Sequence, residues 1–224
     1  MVYRLAHLVC LTLFRLLWRP IVQGQEKIPA SGPLIVASNH LSFIDSIIIP
    51  LTVPRKVVFL AKAEYWEGRS PGSWPRRLFF FLFEAVPVQR AQQQDAQASL
   101  DLARGVLSRG NAFGIYPEGT RSRDGRLYRG RTGVGWLALA SGAPVVPVGL
   151  IGTDKVQPIG STVPRVRWSP RVTVRFGEPV DPADYRGMPP GRARREITDL
   201  VMDRVAALSD QERASGYNQR GTEL

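Results

Sequence analysis

The chain has 224 residues, of which 44% are hydrophobic and 22% are charged, and it carries a formal net charge of +11. This length and composition suffice for one globular domain with a substantial core, and they exclude an intrinsically disordered chain. The single cysteine, Cys10, excludes an internal disulfide framework and fits a reducing compartment.

Residues 1–22 have the pattern of an amphipathic helix that lies on a membrane surface. On a helical wheel Arg4, Arg15 and Arg19 form a narrow basic stripe, and apolar side chains cover most of the remaining surface. Trp18, near the end of the segment, suits the headgroup boundary. The segment has no uninterrupted apolar run of about 18 residues and no small-residue cleavage site after it. We therefore expect a membrane-anchoring helix. The alternative is a helix that packs on the domain. Both are true if one face of the helix contacts the domain and the other contacts lipid.

Short segments rich in β-branched and aromatic residues alternate with segments of helical periodicity after residue 33. Strands are predicted near Leu34–Ala37, Val57–Ala61, Ala85–Val88, Ala112–Tyr116, Val145–Ile151 and Val172–Phe176. Helices are predicted after Asp45, over about Asp95–Arg109, after Thr132 and over about Arg192–Leu208. This alternation predicts a single α/β domain over residues 23–208, with a mixed, largely parallel sheet flanked by helices. The polar residues 209–224 are expected to form a poorly ordered tail.

A run of six bulky apolar residues, Leu78–Phe83, follows Arg76 and Arg77. Such a run is unfavourable when it is exposed to water. We expect it to line the core, a membrane face or an acyl-chain tunnel. The arginines beside it are typical of a segment at a membrane interface.

One of the two histidines, His40, follows the predicted strand Leu34–Ala37 and precedes a carboxylate, Asp45, by five residues. A histidine whose far ring nitrogen is held by a carboxylate is fixed in one tautomer, and its imidazolium is stabilised. Such a residue can take a proton from a hydroxyl near neutral pH. The spacing alone is weak evidence and is more typical of a satisfied polar turn, so the pair is a candidate general base that needs support from a second motif.

The predicted strand Ala112–Tyr116 leads into a glycine-containing turn, residues 117–123, that suits a phosphate group. Arginine offers paired N–H donors, glycine admits a close backbone approach, and hydroxyls add short donors. The candidate phosphate-binding residues of this turn are Gly119, Thr120, Arg121 and Ser122. We expect the acidic member, Glu118, to orient an arginine or to bond a ligand hydroxyl. Both motifs stand at predicted strand ends, where α/β sheets place their sites.

Together, Asn39–Asp45 and Pro117–Ser122 resemble the two signature motifs of the glycerolipid acyltransferase family, whose best-known members are lysophosphatidic acid acyltransferases. Two weaker segments also have family counterparts. Val86–Arg90 resembles the short strand that ends in a phosphate-binding arginine, and Ala143–Gly149 resembles the late valine-proline strand. The four segments occur in family order, and the resemblance covers roughly residues 20–180.

The resemblance implies transfer of a fatty acyl group from an acyl thioester, acyl-coenzyme A or acyl carrier protein, to the free hydroxyl of 1-acyl-glycerol 3-phosphate. It implies that His40 is the base and Asp45 its orienting carboxylate, while Arg121 and its neighbours hold the glycerol phosphate together with Arg90. Arg90 follows Glu84–Pro87, which depart from the family's glycine and isoleucine. Asn39 positions the loop or polarises a carbonyl. No metal or cofactor is expected.

Several alternatives remain at the level of the sequence. The acceptor can be glycerol 3-phosphate, another lysophospholipid or a glycolipid. A hydrolase that uses Ser42 is a remote alternative, since no Gly-x-Ser-x-Gly motif occurs. A non-enzymatic basic binding protein explains only the charge. No nucleic-acid-binding motif is present, so we expect the partner of the basic surface to be anionic lipid, at the cytoplasmic face of the cell membrane.

Overall fold

The computed structural model describes residues 2–62, 86–88, 94–161, 163–166 and 171–219. The sequence predictions for Arg90 and for the apolar run Leu78–Phe83 lie outside these residues.

Strands in the described residues form one seven-stranded sheet in the order β1-β7-β6-β2-β5-β3-β4. The strands are β1 Ile21–Gln23, β2 Leu34–Ser38, β3 Val57–Lys62, β4 Val86–Val88, β5 Ala112–Ile115, β6 Val145–Ile151 and β7 Thr173–Phe176. The strands from β6 to β4 pair in parallel. β7 runs antiparallel to β6, and β1 pairs in parallel with β7. The predicted mixed, largely parallel sheet is confirmed.

Helices cover both faces of the sheet, which explains why β2 is apolar at nearly every position. Leu34 and Val36 of β2 pack into a cluster with α1 and α2, whereas Ile35 and Ala37 pack into a second cluster with α3, α4 and α6. The helices are α1 Val2–Trp18, α2 Asp45–Thr52, α3 Gln94–Ser108, α4 Gly133–Ser141, α5 Thr153–Val156 and α6 Pro190–Ser209. Gly149 of β6 permits the close approach of α6, because a Cβ atom there would lie 2.4 Å from the backbone of Leu208.

The amino-terminal helix is shorter than the sequence pattern predicts. It ends at Trp18, and Ile21–Gln23 form the edge strand β1. Pro20 disfavours the helical conformation of the residue before it, and Arg19 adopts a positive φ of 43°. One face of α1 packs on the domain through the buried Phe14. No helix among the described residues reaches the length and hydropathy of a membrane span.

The segment after α6 differs from the poorly ordered tail that its polar composition predicts. Asp210 ends the helix in the left-handed conformation. Residues 212–216 then run beside residues 127–129, where Leu127 N donates to Glu212 O, Ala214 N to Leu127 O and Arg129 N to Gly216 O, at 2.8–2.9 Å. These backbone bonds fix a segment that has no apolar periodicity of its own. Residues 210–219 are called the C-terminal segment below.

Candidate active site

The imidazole of His40 is bonded to the carboxylate of Asp45 just beyond the end of β2. His40 Nδ1 and Asp45 Oδ2 are 2.9 Å apart. The same carboxylate oxygen accepts the backbone N–H groups of Leu41 at 2.7 Å and Ser42 at 2.8 Å. Asp45 is fully buried at the first residue of α2, where the helix dipole favours negative charge. The side chain therefore holds the histidine from a rigid position.

Tyr116, at the end of β5, fixes the plane of the His40 ring. The two rings stack with centroids 3.8 Å apart and planes 7° apart. The hydroxyls of Tyr116 and Ser46 lie 2.9 Å apart. Burial, reinforced by the charge of Asp45, raises the pKa of Tyr116 well above its usual value, so the phenol stays neutral. With the Nδ1 proton donated to Asp45, His40 Nε2 presents the lone pair of a general base.

Glu118 has a different partner from the one predicted. Its side chain is 1% exposed, and its two oxygens accept the backbone N–H groups of His40 at 3.1 Å and Tyr128 at 3.0 Å. Burial raises its pKa to about 7, against the lowering effect of those bonds. The partners seen here are therefore backbone groups and not the arginine or ligand hydroxyl that the sequence predicts for Glu118. Glu118 instead joins the histidine loop to the turn.

The predicted phosphate turn divides into a buried and an accessible part. Gly119 is exposed and adopts a φ of +80°, which favours glycine, while Thr120 and Arg121 are partly exposed. Ser122 is buried, its backbone N–H donates to His40 O at 2.7 Å, and its hydroxyl donates to Asp124 Oδ1 at 3.1 Å. Ser122 therefore supports the loop, and Gly119, Thr120 and Arg121 remain the candidates for ligand contact.

Asn39 takes the positioning role among the two that the sequence leaves open. It is fully buried, Nδ2 donates to Leu150 O at 2.9 Å, and Oδ1 accepts from Leu150 N at 2.8 Å. This pair of bonds imitates a backbone pairing with β6 just before His40. An amide whose oxygen and nitrogen are both engaged in this way is poorly placed to polarise a substrate carbonyl.

Two residues of the C-terminal segment, neither of them predicted from the sequence, reach the site. Gln211 accepts from Asn39 Nδ2 at 2.7 Å and donates to Gly125 O at 2.6 Å. Asn218 is buried and donates from Nδ2 to Arg121 O at 3.2 Å. No motif or periodicity in this polar stretch signals these long-range contacts. They join the histidine loop, the phosphate turn and the C-terminal segment in one network.

Acyltransferases from plants and bacteria resemble this chain. The chloroplastic 1-acyl-sn-glycerol-3-phosphate acyltransferase BAT2 of Brassica napus is 33% identical over 141 residues, which are 62% of this chain and 39% of that protein. The 1-acyl-sn-glycerol-3-phosphate acyltransferase of Cocos nucifera is 31% identical over 80% of this chain and 56% of its own length. The Bacillus subtilis (strain 168) enzyme is 24% identical, over 85% of this chain and 88% of its own. The chain thus spans about two fifths to just over half of the two plant relatives.

The fold has a counterpart among solved structures. The crystal structure of the 1-acyl-sn-glycerophosphate acyltransferase PlsC from Thermotoga maritima superposes with a TM-score of 0.68 at 29% identity, over 92% of this chain and 79% of that one. The family model Acyltransferase matches residues 19–151, which is more than half of the chain and includes both motifs. The chain belongs to the acyltransferase family.

Proposed function

We propose that the protein is an O-acyltransferase that moves a fatty acyl group from an acyl thioester to the free hydroxyl of 1-acyl-glycerol 3-phosphate, which forms phosphatidic acid. One observation carries the proposal: the His40–Asp45 pair, stacked on Tyr116, is bonded through its own backbone to the turn that holds Arg121. Base and phosphate site are therefore neighbours. The names of the plant and bacterial relatives support the acceptor.

The reaction needs a base for the hydroxyl and a path for its proton. His40 Nε2 takes the proton as the hydroxyl oxygen attacks the thioester carbonyl carbon, and Asp45 stabilises the imidazolium through Nδ1. The tetrahedral intermediate then collapses, the carbon–sulfur bond breaks, and the imidazolium returns the proton to the leaving thiolate. The acyl group thus passes directly to the acceptor oxygen, and the proton of the hydroxyl ends on the thiol. No acyl-enzyme intermediate is formed.

The phosphate of the acceptor binds at the accessible part of the turn. Arg121 supplies the charge, while Gly119 and Thr120 supply room and short donors. Arg90 is proposed as a second ligand of the same phosphate. Binding there orients the free hydroxyl toward His40, and holding two reactants in this way is a large part of catalysis. The donor in this proposal is acyl-coenzyme A or acyl carrier protein.

The rival in which Ser42 acts as the nucleophile of a hydrolase is disfavoured by geometry. Ser42 is fully buried, and its hydroxyl donates to Gln157 O at 2.6 Å. A serine nucleophile must instead expose its oxygen to substrate and bond to the base. Ser42 has a structural role in the loop that precedes α2.

The proposal includes a location on the cytoplasmic face of the cell membrane. The outward face of α1 exposes Leu8, Val9, Leu13 and Leu16 at 50–66%, while Phe14 anchors the helix to the core. Arg15 is exposed beside these leucines and suits anionic headgroups. A helix of this kind brings the active site to its lipid acceptor.

The test is thiol release from palmitoyl-coenzyme A by purified protein in detergent, with product lipids identified by mass. Parallel reactions contain 1-acyl-glycerol 3-phosphate, glycerol 3-phosphate or no acceptor. Release that depends on the lysophosphatidic acid, with phosphatidic acid formed, supports the proposal. Release that depends on glycerol 3-phosphate instead would identify that compound as the acceptor. Release without any acceptor would support a hydrolase.

Two variants assign the roles within this assay. His40→Ala is expected to lower kcat at least about 100-fold, because general-base catalysis is lost. The matched control is His7→Ala, which changes the chain's other histidine. Arg121→Gln is expected mainly to raise KM for the phosphorylated acceptor, because it removes binding that ground and transition states share. Substantial turnover by a folded His40→Ala protein would refute the mechanism.

A further inference from the structure

Two arginines downstream of the phosphate turn lie against the same tyrosine of the C-terminal segment. The guanidinium carbons of Arg129 and Arg131 lie 5.4 Å and 5.7 Å from the centroid of the Tyr217 ring. An aromatic face attracts a cation at such distances. The Tyr217 hydroxyl accepts from Arg195 Nη1 at 3.4 Å, so the ring is itself tied to α6. The arrangement gathers two positive charges around one ring.

Arg131 also lies directly against the turn that carries Arg121. Its backbone N–H donates to Pro117 O at 2.8 Å, and its Nη2 donates to Asn218 O at 3.3 Å. A Cβ atom built on Gly119 would lie 3.1 Å from Arg131 Nε. The guanidinium therefore packs on the glycine of the turn, next to the backbone that the candidate phosphate site uses.

The charges in this region are far from balanced. Residues 117–131 contain the arginines Arg121, Arg123, Arg126, Arg129 and Arg131 and only the carboxylates Glu118 and Asp124. Asp124 is bound by Arg126 at 2.7 Å, and Glu118 is buried against backbone N–H groups. In the described part of the chain, no carboxylate oxygen lies within 4.0 Å of Arg129 or Arg131. An excess of positive charge around one ring favours a bound anion.

We propose that Arg129 and Arg131 form a second phosphate subsite beside the turn and bind a phosphate group of a substrate. The inference rests on the proposed function, in which both substrates carry phosphate: the acceptor has a monoester, and coenzyme A has a pyrophosphate and a ribose phosphate. Guanidiniums match phosphate oxygens through paired donors. Tyr217 and Asn218 hold the pair in place, and this gives the C-terminal segment a part in substrate binding.

The kinetic test uses Arg129→Gln, Arg131→Gln and the control Arg186→Gln, which removes an exposed arginine outside the site. Each variant is assayed with palmitoyl-coenzyme A and with palmitoyl-N-acetylcysteamine, a thioester without phosphate. The expected result is a KM about tenfold higher for one phosphorylated substrate, with kcat and the control little changed. If KM for 1-acyl-glycerol 3-phosphate rises with both donors, the acceptor phosphate occupies the subsite. If only the KM for palmitoyl-coenzyme A rises, a phosphate of the coenzyme occupies the subsite. Unchanged KM values for every substrate would overturn the inference.

A binding measurement separates this inference from the proposed function. Titration calorimetry with glycerol 3-phosphate and with coenzyme A measures binding to the subsite in the absence of turnover. Weaker binding of either compound by Arg131→Gln than by the wild type and Arg186→Gln supports the subsite, even if the acyl-transfer assay is silent. Equal binding by all three proteins, or no binding by the wild type, refutes it.

A pair of tyrosine variants tests how the arginines are held. Tyr217→Phe keeps the aromatic face and loses only the bond from Arg195, so it should change KM less than Tyr217→Leu does. Tyr217→Leu removes the face and should raise the same KM that Arg131→Gln raises, by about threefold. Melting temperatures of the two proteins check that both are folded. Identical KM values for the two variants would contradict the role of the ring.

Discussion

At the scale of single residues, His40, the proposed catalytic base, is held by contacts that differ in chemistry. Asp45 binds the ring nitrogen, Glu118 binds the backbone N–H of His40, and Tyr116 stacks on the ring face. The bond to Asp45 fixes the tautomer of the ring, the bond to Glu118 fixes the position of the loop, and the stack on Tyr116 fixes the plane of the ring. A base that must reach one hydroxyl hydrogen needs all of these constraints, because small misplacements lower the rate strongly.

The stacking contact can be tested separately from the tyrosine hydroxyl. Tyr116→Phe keeps the ring against His40 and loses only the bond to Ser46. Tyr116→Leu loses the stack, and we expect it to lower kcat about tenfold, in line with the strength of aromatic pairs. Steady-state kinetics of the two variants, with circular dichroism as the folding control, gives the comparison. A Tyr116→Phe protein as slow as Tyr116→Leu would assign the effect to the hydroxyl.

Glu118 makes stability depend on pH in a direction that its burial determines. Its folded-state pKa of about 7 lies above the ordinary value of 4.5. Its contribution to stability is therefore complete below about pH 4.5 and is lost as the pH rises through about 7. From about pH 5 to about pH 8 the wild type should lose roughly 2 kcal/mol of unfolding free energy relative to Glu118→Gln.

Urea unfolding of both proteins at the two pH values measures this difference. Glu26→Gln, at an exposed glutamate after β1, is the matched control and should follow the wild type. A constant gap between wild type and Glu118→Gln across the pH range would show that Glu118 does not titrate there.

At the scale of the elements, the sequence predicts most strands and helices and both motifs at their ends. The strands β2, β5 and β6 are continuous apolar runs between polar turns, so their local pattern and their burial agree. The pattern fails at Ile21–Gln23, because three residues after a helix carry little strand signal and gain their partner only from β7. The roles of Glu118 and of residues 210–219 depend on contacts between distant segments, which periodicity does not reveal.

The C-terminal segment gives a prediction at this scale. Gln211→Ala removes the bonds to Asn39 and Gly125, which should lower the unfolding free energy by about 1–2 kcal/mol. It should also lower kcat, because Asn39, next to His40, loses its bond to the C-terminal segment. Chemical unfolding and kinetics measure the two effects, and Glu212→Ala, at the next and exposed position, is the control. Equal stability and equal kcat for the two variants would show that the segment contributes only through its backbone hydrogen bonds.

At the scale of the whole molecule, the net charge of +11 and the apolar face of α1 are expected to act together on a membrane. Leu16→Glu should weaken binding to vesicles at every ionic strength, because it removes apolar contact. Binding of the wild type should weaken with salt only when the vesicles contain anionic phosphatidylglycerol, since salt screens the charge.

Vesicle sedimentation with pure phosphatidylcholine and with mixed lipid measures both effects. Leu102→Glu is the matched control, because Leu102 is an exposed leucine on α3, which packs on the other face of the sheet. A loss of binding that is equal for the two leucine variants would point to general charge effects and would refute α1 as the contact.

The bond between Asn39 and Gln211 joins residues 172 positions apart. It can therefore form only after nearly all of the chain between them has been synthesised. A ribosome delivers α1 before the C-terminal segment, and chains begin to fold from the amino terminus during synthesis. The helix proposed to reach lipid is thus available while the network around His40 still lacks Gln211 and Asn218. In the proposed arrangement, α1 can therefore bind lipid before the candidate active site is complete.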